Sequence, residues 1–216
     1  MNKNYHLKFL LLVLLFSFVK AEDNYSARIA YGKVTASDFS EIFMGNIIST
    51  ELDYDVYALD GGYLWKKNWF DLPLDLYTKF GLAYYKQHRL KDVYEGVLYL
   101  KLYYNIDFWD NRVRIGFGDG FSYTTDYLEP EDDEAILDGD NHSKILNYID
   151  FSVDIDVGKL IQVESLHGLY LGWAVKHRSG VFGLVNDVKE GGANYNTIYL
   201  ETVSYTHLTL PTICSV

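Results

Sequence analysis

The stretch YIDFSVDIDVG, residues 148–158, alternates strictly between apolar and polar side chains. Successive side chains of a β-strand point to opposite faces, so this period of two predicts a strand with one apolar and one charged face. The apolar face would carry Ile149, Phe151, Val153 and Ile155, and the other face would carry Asp150, Ser152, Asp154 and Asp156. The fold must therefore place two chemically opposite environments on the two sides of one sheet.

The same period recurs along most of the chain. After the first 21 residues, a helical period is seen only in a short segment near residues 37–44. Runs of alternating apolar and polar residues predict eight strands, at roughly 26–36, 51–66, 72–87, 93–108, 112–127, 146–161, 167–181 and 194–202. The sequence therefore predicts an all-β chain.

The connections between these strands alternate in length. Those after strands one, five and seven are long, at residues 37–50, 128–145 and 182–193. Those after strands two, four and six are short, reading KNWFD, DN and QVESL. Short turns at one end and long loops at the other are typical of outer-membrane barrels. We therefore predict an eight-stranded antiparallel transmembrane β-barrel.

The alternation does not say which face is inside. A soluble barrel such as a lipocalin buries its apolar face, and a secreted soluble barrel or sandwich remains an alternative. The chain has 20 tyrosines in 216 residues, and Tyr and Trp gather at membrane interfaces. This excess favours apolar side chains facing lipid and charged ones facing an ion-paired lumen.

The two ends of the chain have a different composition. Residues 1–21 combine early lysines with an apolar run that is too short to span a membrane, which predicts a secretory signal peptide rather than an anchor. Residues 203–216 resemble a translated sequencing adapter, so we predict a non-native tail that contains the only cysteine, Cys214. The barrel domain is then expected at residues 22–202.

The charge of the chain limits its partners. The formal net charge is −11, which excludes nucleic acid as a natural partner because phosphates need a basic footprint. The histidines lack carboxylate or cysteine neighbours at ligand spacing, so we predict no metal and no cofactor.

The acid-rich segment EPEDDEAILDGDN, residues 129–141, is expected to be a solvated loop. The expected location is the outer membrane of a Gram-negative bacterium.

The stretch WAVKHRSGVFG, residues 173–183, carries the chain's candidate for chemistry. His177 and Ser179 have the same parity on the predicted seventh strand, about 6.7 Å apart at Cα. An imidazole beside a hydroxyl is the pairing that nucleophilic catalysis requires. The alternative interpretation is a polar strand end in the headgroup zone, to which Lys176 and Arg178 would also belong.

The segment HRSGVFGLVNDVKEGGANYNTIYLE, residues 177–201, resembles the lipid A 3-O-deacylase family of outer-membrane enzymes. The resemblance implies that His177 is the base and Ser179 the nucleophile. It places the histidine-orienting acid after the glycine-containing loop, where Asn194 is nearest, Glu190 precedes it, and Glu201 lies further on. The family has an oxyanion-binding asparagine after the serine, whereas this chain has Gly180 and offers only backbone N–H groups.

This resemblance leads to an expected function. The protein would hydrolyse an acyl ester of lipid A, the lipid part of lipopolysaccharide, from the lipid-facing side of the barrel wall. A non-enzymatic structural or adhesive outer-membrane barrel is the alternative. The sequence leaves open the acyl position, the acid of the triad and the oligomeric state.

Overall fold

The structure is a computed structural model that describes residues 24–35, 37, 41–42, 44, 46, 54–181, 183–189 and 192–204. The predicted signal peptide lies outside these residues, as does Glu190. Of the predicted tail, only Val203 and Ser204 are described, and Val203 is the last residue of the eighth strand.

The eight predicted strands form one closed antiparallel barrel in which each strand pairs with its sequence neighbours and β1 pairs with β8. The strands are β1 (Tyr25–Thr35), β2 (Asp55–Lys66), β3 (Leu74–Lys86), β4 (Val93–Phe108), β5 (Asn111–Thr124), β6 (Ile145–Asp156), β7 (Leu169–Ser179) and β8 (Gly192–Val203). The predicted fold class is confirmed.

The strands are tilted with respect to the barrel axis. A path can be traced around the barrel by stepping from each residue to its paired residue on the next strand. Starting at Ser179, this path passes through Asn147 and Phe121 and returns to β7 at Leu169. This line of pairs therefore returns to β7 ten residues away from the residue at which it started. A displacement of this kind accompanies strand tilt in every closed barrel. As a result, residues paired across strands lie at different heights along the barrel.

The connections at one end, here called the short-turn end, are residues 67–73, 109–110 and 157–168. Trp109 and Asp110 link β4 to β5 with φ angles of 44° and 58°, as a two-residue hairpin turn of the primed type requires. The predicted sixth strand was expected to reach residue 161 but ends at Asp156. There the Asp156 carboxylate accepts a hydrogen bond of 2.9 Å from the backbone N–H of Lys159 and caps a helical turn.

The apolar side chains of the strands point outward and the charged ones point inward. Leu100 and Val153 are 56% and 37% exposed, whereas their neighbours Lys101 and Asp154 are 0% and 3% exposed. The outward-facing side chains are called the outer wall below. A soluble barrel would show the opposite arrangement, so the orientation is that of a barrel that faces lipid.

The lumen is filled by ion pairs. Arg28 donates to Asp60 and to Asp150, both at 2.7 Å, and Lys101 also bonds Asp150. Lys79 pairs with Glu201 at 2.5 Å, and Arg114 donates two bonds to Asp154. All of these side chains are buried. Buried charges are tolerated only when they are paired, and here each has at least one opposite charge.

The tyrosines serve two roles, only one of which was expected from the sequence. Of those that the structure describes, nine are among the largest fully buried side chains, namely Tyr54, Tyr77, Tyr85, Tyr99, Tyr103, Tyr148, Tyr170, Tyr195 and Tyr199. Several tyrosine hydroxyls form hydrogen bonds with charged side chains in the lumen. For example, Tyr103 donates to Glu201 at 2.8 Å. The tyrosine excess therefore reflects the filling of the lumen as well as the interface.

An interfacial row of tyrosines lies at the other end of the barrel, here called the long-loop end. Tyr31, Tyr57, Tyr84 and Tyr94 are consecutive partners across β1 to β4. Their ring centroids are 5.1, 6.3 and 5.3 Å apart. Aromatic girdles of this kind mark the two interfaces of outer-membrane barrels.

The acid-rich segment is a helix, not the expected solvated loop. The helix α1 (Glu129–Asp138) follows β5, and its Glu129 and Glu131 are buried. Glu129 accepts backbone bonds of 2.5–2.9 Å from His88, Arg89 and Leu90, and Glu131 pairs with Arg178. The prediction was wrong because these carboxylates find partners that are far away in sequence. Among the described residues, no helix is long and apolar enough to cross a membrane.

Candidate active site

His177 and Ser179 lie on the outer wall at the long-loop end of β7. Both are half-buried, while Lys176 and Arg178, which alternate with them, are buried in the lumen. This is the parity expected from the sequence. The two candidate reactive side chains therefore share one face of the strand, directed away from the lumen.

Asn194 is the hydrogen-bond partner of the histidine. His177 and Asn194 are directly paired residues of β7 and β8, and the His177 Nδ1 atom lies 2.8 Å from Asn194 Oδ1. Side chains opposite each other in an antiparallel pair are close enough for direct contact. Of the residues that the sequence offered for orienting the histidine, the structure brings Asn194 into this contact.

A second hydrogen bond fixes which way the Asn194 amide faces. Asn194 Nδ2 donates to the backbone carbonyl of Ser37 at 3.1 Å, so the amide oxygen faces the imidazole. An oxygen can only accept, so the Nδ1 atom of a neutral His177 carries the proton. The Nε2 atom is then the proton acceptor of the ring. The arrangement prepares His177 to act as a base through Nε2.

The residue opposite Ser179 is a glycine. Gly192 pairs with Ser179 across β7 and β8. A Cβ atom at Gly192 would lie 2.6 Å from the Arg178 carbonyl oxygen and 3.3 Å from His177 Cε1. Any larger residue would therefore press on the backbone and on the imidazole ring. The glycine keeps space open beside the serine and the histidine.

The turn after Ser179 is tightly packed and strained. A Cβ atom at Gly180 would lie 2.0 Å from the Val188 carbonyl oxygen, so only glycine fits there. Val181 follows with φ 53°, in the left-handed region that β-branched residues rarely enter. Backbone strain of this kind is concentrated at functional sites. Gly180, the predicted oxyanion residue, is thus held next to Ser179 by the loop that follows.

The acids considered from the sequence do not contact the histidine in the described part of the chain. Glu201 points into the lumen, where it pairs with Lys79 at 2.5 Å. Its alternative role as the orienting acid is therefore wrong, because its side chain is on the other face of β8. Glu190 lies outside the described residues.

Glu134 is a neighbour of the site that the sequence did not indicate. It lies on α1, and its Oε2 accepts a hydrogen bond of 2.8 Å from the backbone N–H of Gly192. The helix thus holds the end of β8 beside Ser179. The only sequence signal was the acid-rich character of residues 129–141, which gave no indication of this contact.

A small cavity adjoins Asn194. It has a volume of about 250 Å³ and lies between α1 and the ends of β1 and β8. Its lining combines Thr35, Ser37 and Asn194 with Glu134 and Leu137 from the helix. Among the described residues, no group of three or more His, Cys, Asp or Glu side chains is arranged to hold a metal ion.

Comparisons with known proteins give a structural match but no sequence match. No protein-family model matches the chain, and no curated protein matches it. The fold is similar to that of the outer membrane enzyme PagL, with a TM-score of 0.55 at 13% identity. That alignment covers 83% of this chain and 99% of PagL. The fold is that of an outer-membrane β-barrel.

Two further solved barrels are less similar. Neisserial surface protein A (NspA) aligns with a TM-score of 0.47 and 13% identity over 82% of this chain and 96% of NspA. The N-terminal β-barrel domain of Pseudomonas aeruginosa OprF aligns with a TM-score of 0.42 and 10% identity over 83% of this chain and 97% of that domain. At such identities the comparisons establish the fold alone.

Proposed function

We propose that this protein is an outer-membrane esterase that hydrolyses an acyl ester of lipid A in the outer leaflet. The observation that carries the proposal is the bond between His177 Nδ1 and Asn194 Oδ1, on the strand face that also bears Ser179. It prepares a base beside a hydroxyl on the outer wall of a barrel. A polar group on a lipid-facing wall is costly unless it lies at an interface or has a function.

The proposed reaction uses only residues of the chain. Ser179 Oγ attacks the ester carbonyl carbon while His177 Nε2 takes the hydroxyl proton. The oxyanion of the tetrahedral intermediate accepts a hydrogen bond from a backbone N–H at Gly180. The intermediate collapses to an acyl-serine as the imidazolium returns the proton to the departing alkoxide. Water, deprotonated by His177, then releases the fatty acid and restores Ser179.

Asn194 orients the imidazole but carries no charge. Its oxygen holds the ring in the Nδ1–H tautomer, which is the first function of the third member of a catalytic triad. The imidazolium that forms during the reaction has only the amide dipole to stabilise it. We therefore expect slower turnover than a carboxylate at position 194 would give.

The position of the site supports this choice of substrate class. The site lies at the long-loop end, near the level of the interfacial tyrosine row, where a lipid ester meets the headgroup zone. In an outer-membrane barrel the long loops face the outside of the cell. The esters available on that side are those of lipopolysaccharide, which supports lipid A as the substrate and the outer membrane as the location.

The decisive experiment is to express the chain in a Gram-negative host and weigh its lipid A by mass spectrometry. We expect the loss of one acyl chain, and we expect Ser179→Ala to prevent that loss. Thr202→Ala is the matched control because it removes a hydroxyl from the same outer wall at the far end of β8. Folding of each variant is checked by the heat-dependent shift of the barrel on a gel.

A non-catalytic structural barrel is the second candidate, and one observation favours it. The position that contacts His177 Nδ1 is an amide instead of a carboxylate. An unchanged lipid A profile from correctly inserted protein would contradict the esterase and support this second function.

A further inference from the structure

The carboxylate of Asp119 interrupts the apolar outer wall. Asp119 on β5 is exposed, and it is flanked by Phe117 and Phe121 along its own strand. Across the neighbouring strands it pairs with Leu100 and Ile149. A charged side chain on the lipid face of a barrel is unfavourable, and most so away from the interfaces. Its position therefore calls for a functional explanation.

Asp119 is connected to the candidate active site through Asn147 on β6. Asn147 Nδ2 donates to Asp119 Oδ1 at 2.9 Å and to the carbonyl of Gly120 at 3.1 Å. Asn147 is also the residue directly paired with Ser179. One asparagine therefore lies between the carboxylate and the proposed nucleophile, and it holds the carboxylate in place.

The hydrogen-bonding capacity of this pair is not filled. Within the described part of the chain, Asn147 Oδ1 is buried without a partner, and Asn147 gives Asp119 its one side-chain hydrogen bond. A carboxylate can accept about four hydrogen bonds and can donate none. The exposed oxygen of Asp119 therefore matches a ligand that brings an O–H or N–H group.

The tilt of the strands places Asp119 on the membrane side of Ser179. The line of pairs that starts at Ser179 passes through Asn147 and Phe121 and ends at the short-turn end of β7. Each step toward β5 is therefore deeper in the wall. β5 runs toward the long-loop end, so Asp119 lies still deeper than Phe121. Headgroup amines and phosphates lie on the opposite, aqueous side of the site.

We propose that Asp119, positioned by Asn147, is a specificity determinant that binds a hydrogen-bond donor in the apolar part of the lipid substrate. The proposal rests on the esterase function, since it describes the same site. Two strand spacings across the sheet and two residues along β5 separate Ser179 from Asp119, so the donor would lie about 12 Å from the scissile carbonyl. A hydroxyl on an acyl chain and the N–H of an amide-linked acyl chain both supply this chemistry. A simple fatty ester without a donor would leave the carboxylate unsatisfied.

Binding tests this subsite without relying on turnover. The full chain with Ser179→Ala is folded in detergent micelles and mixed with three probes, which are ethylene glycol ditetradecanoate, its analogue with one 3-hydroxytetradecanoyl chain, and its analogue with one ester replaced by a secondary amide. Native mass spectrometry counts the bound lipid. We expect one or both donor-bearing probes to bind roughly tenfold more tightly than the plain diester, as for a hydrogen bond to a charged group. The probe that is preferred identifies the source of the donor.

Asp119→Leu should abolish this preference. Folding is not at risk, because the substitution replaces a charge on the lipid face with an apolar side chain, and the gel shift on heating verifies it. Asp107→Leu is the matched control, since it removes an exposed carboxylate at the short-turn end that pairs with Arg112. Equal binding of all three probes, or a preference that survives Asp119→Leu, would overturn the proposal. If the protein prefers the donor-bearing probes but leaves lipid A intact in the host, the esterase function is wrong and the lipid-binding subsite at Asp119 stands.

Discussion

His177 and Asn194 are joined by a side-chain hydrogen bond of 2.8 Å between two directly paired residues of β7 and β8. The Asn194 amide is itself held by the carbonyl of Ser37, which lies 157 residues earlier in the chain. Three segments that are distant in sequence therefore define one tautomer of one imidazole. The consequences of this arrangement can be tested by mutation.

Asn194→Asp should increase esterase activity. A carboxylate keeps the bond to Nδ1–H and adds a charge that stabilises the imidazolium formed when Ser179 is deprotonated. We expect roughly tenfold faster release of fatty acid, measured on purified lipid A in detergent, in line with one charged hydrogen bond. Asn194→Leu should reduce the rate by a similar factor. If Asn194→Asp and Asn194→Leu behave alike, the residue does not act through His177.

Gly192→Ala should impair activity while the barrel still folds. The added methyl group would press on the Arg178 carbonyl and approach His177 Cε1 to 3.3 Å, so the ring must move. We expect a loss of about tenfold in rate, in keeping with the sensitivity of catalysis to small displacements. Gly96→Ala is the control, because a Cβ atom there meets nothing within 4 Å. Equal rates for Gly192→Ala and Gly96→Ala would contradict the proposed packing.

Asp150→Ala should destabilise the barrel strongly. Asp150 accepts bonds from Arg28 and Lys101, and all three side chains are fully buried. Its removal leaves two cations without their shared anion, which costs about 3–5 kcal/mol in comparable buried pairs. The midpoint of urea unfolding in micelles would measure the effect. Asp107→Ala removes an exposed ion pair and should change the free energy of unfolding by less than about 1 kcal/mol.

The docking of α1 should weaken as the pH rises. Burial raises the pKa of Glu131 from its ordinary 4.5 to about 7, and this effect exceeds the attraction of Arg178. The nearby Glu95 raises the pKa further. A carboxyl whose folded pKa is raised contributes stability that is complete below about pH 4.5 and is lost as the pH rises through 7. Limited proteolysis of residues 125–144 should therefore be faster at pH 8 than at pH 5.

Glu131→Gln gives the comparison for this pH effect. The amide cannot ionise, so the difference in cleavage between pH 5 and pH 8 should shrink in this variant. A pH difference of the same size in both proteins would show that another group controls the helix.

The architecture of the barrel could be derived from the sequence because its signals are local. Alternation with a period of two, as in residues 148–158, is imposed by the pleat of the strand and appears wherever a sheet separates two environments. Loop lengths then defined the two ends of the barrel. The exception is α1. The segment around its buried Glu129 and Glu131 has no apolar pattern that would predict a helix.

The candidate site could be predicted only in part, for the same reason. His177 and Ser179 lie two residues apart on one strand, so their shared face follows from sequence. The partner of His177 was left open between Asn194 and Glu190, because the sequence of the connecting segment does not determine the register of β8 against β7. The involvement of Ser37, Glu134 and Asn147 could not be foreseen, since their contacts close over long sequence separations.

The sequence by itself determined that this chain forms eight amphipathic strands with charged residues on one face and apolar residues on the other. Only the tertiary structure decided that the charges lie inside, because closure of the barrel lets each buried ion meet an opposite charge from a distant strand. Closure also set the register that pairs His177 with Asn194 and Ser179 with Asn147. Sequence periodicity assigns a residue to a face, but only hydrogen bonding between strands selects its neighbour.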